Sequence, residues 1–257
     1  MKTCCIANFK GGVGKTTTAV NLAAIWADRG EKVLLVDADA QCNASNFYGG
    51  APEGAPTLSR ILTGEVQGPA EDLFSPAGRE RLWLLPGDME LLGLDLKSMR
   101  GQGKEISGRL LDLLQAADGL QLFDRVIIDC PPSFTAASVA AFVASELVLL
   151  PTDVSLWSLG GVDEMLRQIQ SFSPAACRVL ITMAKKTRLG IQGEEMIRQR
   201  FRCLRGKIRE CAKVPESTYA REPLCDYAPR CPAAFDYQAL ASEIREMMDG
   251  KEARCDG

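Results

Sequence analysis

Residues 8–21 read Asn8-Phe9-Lys10-Gly11-Gly12-Val13-Gly14-Lys15-Thr16-Thr17-Thr18-Ala19-Val20-Asn21. Ahead of them, Thr3 to Ala7 is a short apolar run of strand character. Behind them, Val20, Ala23, Ala24 and Ala27 recur on one face of a helix from Thr16 to Arg29, which Gly30 stops. A glycine loop between a strand and a helix is the setting in which backbone wraps phosphates. Glycines let N–H groups turn inward, the helix N-terminus adds partial positive charge, a lysine reaches the β/γ oxygens, and the next hydroxyl ligates magnesium. Residues 10–17 therefore predict a site for ATP with Mg2+. Gly11, Gly12, Val13, Gly14, Lys15, Thr16 and Thr17 line the phosphates, Lys15 also serves catalysis, and Thr16 serves the metal.

The loop departs from the ordinary pattern in one place: Phe9 stands where glycine is usual, and Lys10 opens the loop. A lysine there does not easily reach its own γ-phosphate from behind the loop. It is better placed to reach across a subunit boundary, as an arginine finger does, a contact worth about 10³ to 10⁵ in rate.

Outward from this segment, β-branched or apolar runs alternate with helical patterns. The strand candidates are Thr3–Ala7, Lys32–Val36, Leu82–Leu85, Arg125–Ile128, Leu147–Leu150, Arg178–Thr182 and Lys207–Val214, with a short helical piece at Leu58–Leu62. That alternation predicts an α/β fold of the P-loop NTPase class, a mostly parallel twisted sheet with helices on both faces. A single domain over 1–249 is expected, with a frayed tail over 250–257.

Two carboxylate sites belong with the loop. Arg125-Val126-Ile127-Ile128-Asp129 is an apolar strand ending in an acid, which places Asp129 beside the phosphate loop to hold magnesium directly or through water. At the end of the second strand, Asp37 and Asp39 divide a magnesium-side role and a water-orienting or basic role. Asp37 is the expected metal-side residue and Asp39 the expected orienter, although the residues alone allow either order.

These stretches, Asn8 to Asn21, Val33 to Asn43, Thr57 to Glu65 and Phe123 to Ser133, resemble the ParA/MinD family of deviant Walker A ATPases, most of all the short ParA-type partition ATPases. The match is close in the first half and around Asp129, and weaker but collinear from Leu149 to Ile244. The resemblance implies ATP-driven face-to-face homodimerisation, Lys10 acting in trans, Asp39 positioning water, and slow turnover accelerated by a ParB-like centromere-binding partner. It also implies a purine held by Thr182-Met183 and Val214-Pro215, with Met183 and Pro215 as contacts, and a site closed by Pro151-Thr152-Asp153. The family's proline after the second aspartate is Ala40 here, and the arginine-rich stretch of chromosomal relatives is replaced by Glu216-Ser217-Thr218-Tyr219.

DNA contact is therefore expected elsewhere. The net charge of -3 conceals ten Lys/Arg against three Glu between Lys185 and Lys213. Arg198, Arg202 and Arg205 recur at i, i+4 and i+7 beside the stripe Ile197, Phe201, Leu204, which predicts one helix with an arginine face. With Lys186 and Arg188 they form the candidate surface for non-specific double-stranded DNA.

Composition narrows the alternatives. With 46% hydrophobic residues in 257, the chain can bury a sizeable core; with no histidine, Ser-His and Cys-His catalysis and imidazole zinc sites are excluded. Ten scattered cysteines, without C-x-x-C pairs or a signal peptide, read as reduced thiols in a cytoplasmic protein, and the resemblance implies that it is nucleoid-associated. The rival readings are an ATP-dependent carrier or metabolic enzyme on the same scaffold and a MinD-like positioning ATPase. The first lacks paired cysteines or an inserted substrate domain. The second lacks a basic membrane anchor, because the last helix, from Asp236 to Met248, carries Tyr237, Leu240, Ile244 and Met247 on an apolar side suited to core packing. No contact with membrane is expected.

Overall fold

The computed structural model describes residues 1–250, apart from the side chains of residues 156–158. The tail expected to fray lies, beyond Gly250, outside the described residues. Eight strands form one sheet: β1 (Lys2–Ile6), β2 (Val33–Asp37), β3 (Ser75–Pro76), β4 (Leu82–Leu85), β5 (Arg125–Asp129), β6 (Leu147–Thr152), β7 (Ala176–Ala184) and β8 (Cys203–Arg209). Their spatial order is β3-β4-β2-β5-β1-β6-β7-β8, and every pairing is parallel except that of β3 with β4.

The central strands are buried on both faces, which is why they read as unbroken apolar runs rather than alternations. Their side chains still divide by period two. Cys5, Leu34, Val36, Val126 and Ile128 pack into one apolar cluster, and Cys4, Ile6, Val33, Leu35 and Ile127 into the other. The first cluster is covered by α3 (Leu58–Thr63), α5 (Gly103–Gly119), α6 (Ala136–Val143), α7 (Leu156–Gln170) and α8 (Arg188–Arg200). The second is covered by α1 (Lys15–Asp28), α2 (Asn43–Phe47), α10 (Leu224–Tyr227) and α11 (Pro232–Met248); the short α4 (Leu94–Lys97) adds Leu94 to the first cluster, and α9 (Lys213–Ala220) sets Val214 against the second. Helices thus cover both faces, as expected.

The structure corrects the reading of residues 197–214. Helix α8 stops at Arg200, Phe201 is extended, and the chain turns directly into β8. Leu204 and Ile208 are buried while Arg205 and Lys207 between them are exposed, a period-two pattern. Arg198, Arg202 and Arg205 therefore do not share a helical face: one lies on a helix, one in a turn and one on a strand. The strand expected to run to Val214 ends at Arg209, and Val214 and Pro215 open α9.

At the opposite end of the sheet from the glycine loop, Arg125 donates to Glu31 Oε2 at 2.6 Å and to Asp249 Oδ1 at 2.7 Å, and its guanidinium lies over the Trp26 ring. Trp26, fully buried, donates its ring N–H to Ala241 O at 3.1 Å. These contacts clasp the end of α11 to the base of β5. Truncating Arg125 leaves buried Glu31 with only the longer contact to Arg245, at 3.4 Å, and removes a charge-assisted hydrogen bond, a change that costs about 1.5 to 3 kcal/mol. Arg125→Ala is expected to lower the urea midpoint accordingly; an unchanged midpoint would show that the clasp carries no net stability.

Candidate functional site

β1 delivers the chain to the glycine loop at the carboxyl edge of the sheet, between β5 and β6. Gly12 (φ 73°) and Gly14 (φ 85°) occupy the left-handed region, which side-chain-bearing residues avoid, and Gly14 is the N-cap of α1. The loop is braced from both flanks. Asn8 donates to Pro151 O at 2.7 Å and accepts from the Lys10 N–H at 3.0 Å. The Thr182 hydroxyl stands 2.9 Å from Val13 O and 3.2 Å from Thr152 O, tying the loop to the ends of β6 and β7. Sequence reading missed Asn8 as a brace and gave Thr182 only to the purine, because their partners lie more than a hundred residues away.

Lys15 is buried and donates to Lys10 O at 3.1 Å; burial lowers its pKa, while Asp129 and Asp39 pull the other way. Lys10 takes a different direction. Its ammonium lies 2.7 Å from Asp153 Oδ2 and 3.0 Å from Ser155 Oγ, so in this state it is held by residues of its own chain at the rim of the loop.

Asp37 and Asp129 end neighbouring strands and stand opposite each other in the β2–β5 register. Asp129 accepts from the Thr16 hydroxyl at 2.6 Å through Oδ2, whereas its buried Oδ1 has no hydrogen-bond partner. Burial, with Asp37 nearby, pushes the Asp129 carboxyl well above the usual range. A buried carboxylate oxygen without a donor, beside a threonine hydroxyl at a helix N-terminus, fits a hard divalent cation with oxygen ligands. Bound there, Mg2+ supplies charge neutralisation to phosphate oxygens. Asp37 is also fully buried, but its oxygens are engaged: the Ser45 N–H and hydroxyl each donate at 2.7 Å, and the Asp39 N–H at 3.1 Å. Burial still pushes its carboxyl up to about 6. Asp37 thus anchors the turn that carries Asp39, whose carboxylate accepts from the Gln41 N–H at 2.9 Å. Gly87 backs the same turn, since a Cβ there would meet Asp37 O at 2.8 Å and Asp39 O at 3.0 Å.

The unpaired Asp129 oxygen gives a testable sign. Its folded pKa lies above the unfolded value, so the ligand-free protein loses stability as pH rises through the folded pKa. Asp129→Asn removes that loss. The variant is expected to be more stable than wild type without ligand at pH 8, by about 1 to 3 kcal/mol, with the difference shrinking toward pH 4. It should also lose the extra thermal stabilisation that Mg2+ adds to bound nucleotide. A variant that melts lower than wild type at pH 8 would contradict the assignment.

Beyond the loop a cavity of about 900 Å³ opens, lined by Gly12, Thr17, Thr182, Met183, Cys211, Val214, Pro215 and Tyr219. Met183 holds φ at 50°, a left-handed conformation at the end of β7. The purine contacts expected from resemblance, Thr182-Met183 and Val214-Pro215, therefore converge on one hollow beside the phosphate loop, although the second pair comes from the first turn of α9 rather than a strand end.

The basic stretch disperses. Lys186 and Arg188 lie at the start of α8, whereas Arg202 lies past its end, about 20 Å away for 13 helical residues. Arg198 pairs with Glu194 at 3.0 Å and donates to Leu204 O at 2.8 Å, and Arg205 stands 3.5 Å from both Glu243 and Glu246. Nine cysteines are free thiols among the described residues.

A glycine cradle with a buried lysine, a threonine hydroxyl donating to a buried aspartate, and an adjoining hollow large enough for a nucleotide base define a P-loop ATPase, which takes ATP with Mg2+ and hydrolyses it to ADP and phosphate. Residues 1–181 match the family described as AAA domain. The chromosome partitioning protein ParA of Caulobacter vibrioides is 33% identical over 259 residues, covering 97% of this chain and 96% of that protein. The chromosome-partitioning ATPase Soj of Thermus thermophilus is 32% identical over 248 residues, 93% of each. The chain belongs to the ParA family of partition and positioning ATPases. Among solved structures, apo McdA of Cyanothece superimposes with a TM-score of 0.80 at 25% identity, covering 95% of this chain and 98% of that one. Cobyrinic acid a,c-diamide synthase of Mycobacterium smegmatis, with bound ADP and magnesium, gives 0.78 at 26% identity, covering 97% and 96%.

Proposed function

We propose that this ATPase is a partition switch: Mg-ATP drives two copies face to face, the dimer binds double-stranded DNA without sequence preference on the nucleoid, and hydrolysis resets it. Lys15 and the loop N–H groups hold the phosphates, Thr16 and Asp129 hold Mg2+ with Asp37 behind them through water, and Asp39 positions the attacking water. Lys10 serves the partner's nucleotide. A ParB-like centromere-binding protein accelerates the slow turnover. The observation that carries this reading is the separation of the two lysines. Lys15 fills the cradle, while Lys10 stands at the rim with its side chain 38% exposed, on the side from which a second copy would approach.

One feature favours partition over a membrane-cycling role. The apolar side of α11, with Tyr237, Leu240, Ile244 and Met248, is spent inside the core, and Met248 takes the buried position expected of Met247. For DNA, exposed Lys186, Arg188 and Arg202 are the leading contacts; Arg198 and Arg205 would have to leave their acidic partners.

The test is DNA co-sedimentation of wild type and Asp39→Ala with ATP or ADP at low and high salt, with size exclusion in parallel. Asp39→Ala with ATP is expected to accumulate as a dimer that holds DNA at low salt and releases it at high salt, each neutralised phosphate contributing about -0.9 to the log–log slope. A dimer that ignores DNA under every condition would remove DNA from the cycle and leave the nucleotide switch.

A further inference from the structure

Two thiols meet beside the base cavity. Cys211, on the turn between β8 and α9, lines the cavity, and Cys231 is the N-cap residue of α11, its sulfur accepting from the Ala234 N–H at 3.4 Å. Arg209, two residues before Cys211, donates to the carbonyl of Pro232, the residue after Cys231, at 3.1 Å, and both thiols pack, partly exposed, against the same apolar cluster. Among the described residues no other cysteine combines these properties. Cys5 and Cys130 also touch, but both are sealed in the core. Cys225 stands with Asp28 and Asp226, where Arg79 donates to both carboxylates and fills the cluster.

We propose that Cys211 and Cys231 form a redox-active dithiol, a modification site for low-molecular-weight disulfides such as oxidised glutathione. Its closure to an intrachain disulfide pins the base-binding turn to α11 and weakens ATP binding. Cys211 faces the open cavity and is the thiol that meets the oxidant. Its thiolate attacks one sulfur of the glutathione disulfide, releasing the first glutathione thiolate and leaving a mixed disulfide. The Cys231 sulfur, whose thiol burial pushes upward, then gives up its proton and attacks Cys211 Sγ, expelling the second glutathione. Two protein thiols thereby lose two electrons and two protons, and one glutathione disulfide becomes two thiols.

The product is shorter than the contact it replaces. An S–S bond is about 2 Å long, so closure draws the turn toward α11, and Ala212, Val214 and Pro215 move with it. A purine recognised by the shape of that wall loses contact. The effect on ATP rests on placing the base in this cavity, and the experiment separates the two claims.

The full chain is incubated with oxidised glutathione, its thiols are counted and its peptides mapped by mass, and ATP affinity is measured for oxidised and reduced protein. The expected result is a cross-link between the peptides of Cys211 and Cys231, lighter by two hydrogens and reversed by dithiothreitol, with ATP binding about tenfold weaker. Cys231→Ser should instead retain a single glutathione on Cys211 and give no cross-link. Modification of other cysteines with Cys211 and Cys231 left as thiols would overturn the proposal. Cys211→Trp, which fills the cavity, provides the control. If it abolishes ATP binding while the cross-linked protein binds normally, the lock is wrong and the base placement stands. If Cys211→Trp binds ATP as wild type does, the base placement is wrong and the inference falls with it.

Discussion

Lys15→Gln is expected to weaken ATP binding by about 100-fold or more and to reduce hydrolysis to background. The ammonium is buried, donates to the Lys10 carbonyl, and sits between the loop and the Asp129–Asp39 carboxylates. ATP phosphates give it a full charge partner in place of a carbonyl. A hydrogen bond to a charged group is worth about 1.5 to 3 kcal/mol, and each 1.4 kcal/mol is about tenfold in affinity. Glutamine keeps a polar end but supplies neither the charge nor the reach. Calorimetric titration with Mg-ATP, alongside a melting curve to verify folding, reads the result; a folded variant binding within threefold of wild type would remove Lys15 from the phosphate site.

Lys10→Ala is expected to leave ATP binding largely intact and to slow hydrolysis by about 10³-fold, the scale of a cation supplied in trans. The decisive arm is a mixture. A Lys10→Ala chain keeps Asp39 but needs a partner's lysine, and an Asp39→Ala chain supplies that lysine while lacking its own water-positioning acid. If Lys10 acts across the interface, mixing two nearly inactive variants restores one working site per mixed dimer, so activity should recover to roughly a quarter of wild type at equal mixing. If Lys10 acts on its own nucleotide, every site in the mixture lacks one group and nothing is recovered. Asp153 bears on the same step. Its carboxylate holds Lys10 at 2.7 Å, so that contact must rearrange before the lysine can cross.

The first half of the fold was readable because its signals are local. The glycines at 12 and 14, the helix behind them and the apolar strand ending in Asp129 each declare themselves within a few residues. The basic stretch was not, for a specific physical reason. Ile197, Phe201, Leu204 and Ile208 fit a 3.6-residue period, but Leu204 and Ile208 also fit a period of two with Gly206 between them. Pairing of β8 along β7 decides for the strand, and no local signal records that pairing. The two-residue strand at Ser75–Pro76 is too short to carry any period. At the site, the spacing of Asp37 and Asp39 puts both in one turn, but what distinguishes them is Ser45, whose N–H and hydroxyl occupy Asp37. The pairing of Cys211 with Cys231 joins a turn to a helix cap twenty positions later, and neither residue stands in a motif that would mark it.

Helix α11 places Tyr237 within 3.4 Å of Thr18 on the phosphate-loop helix and ends where Asp249 meets Arg125. That arrangement orders events during synthesis. A nascent chain contains its whole phosphate loop by residue 17, yet the cavity wall in α9 and the helix that backs α1 follow only after residue 212. Nucleotide competence is therefore expected only once α11 has been made, and a translation product interrupted before it, although it retains every residue of the phosphate loop, is expected to be unable to compete for ATP.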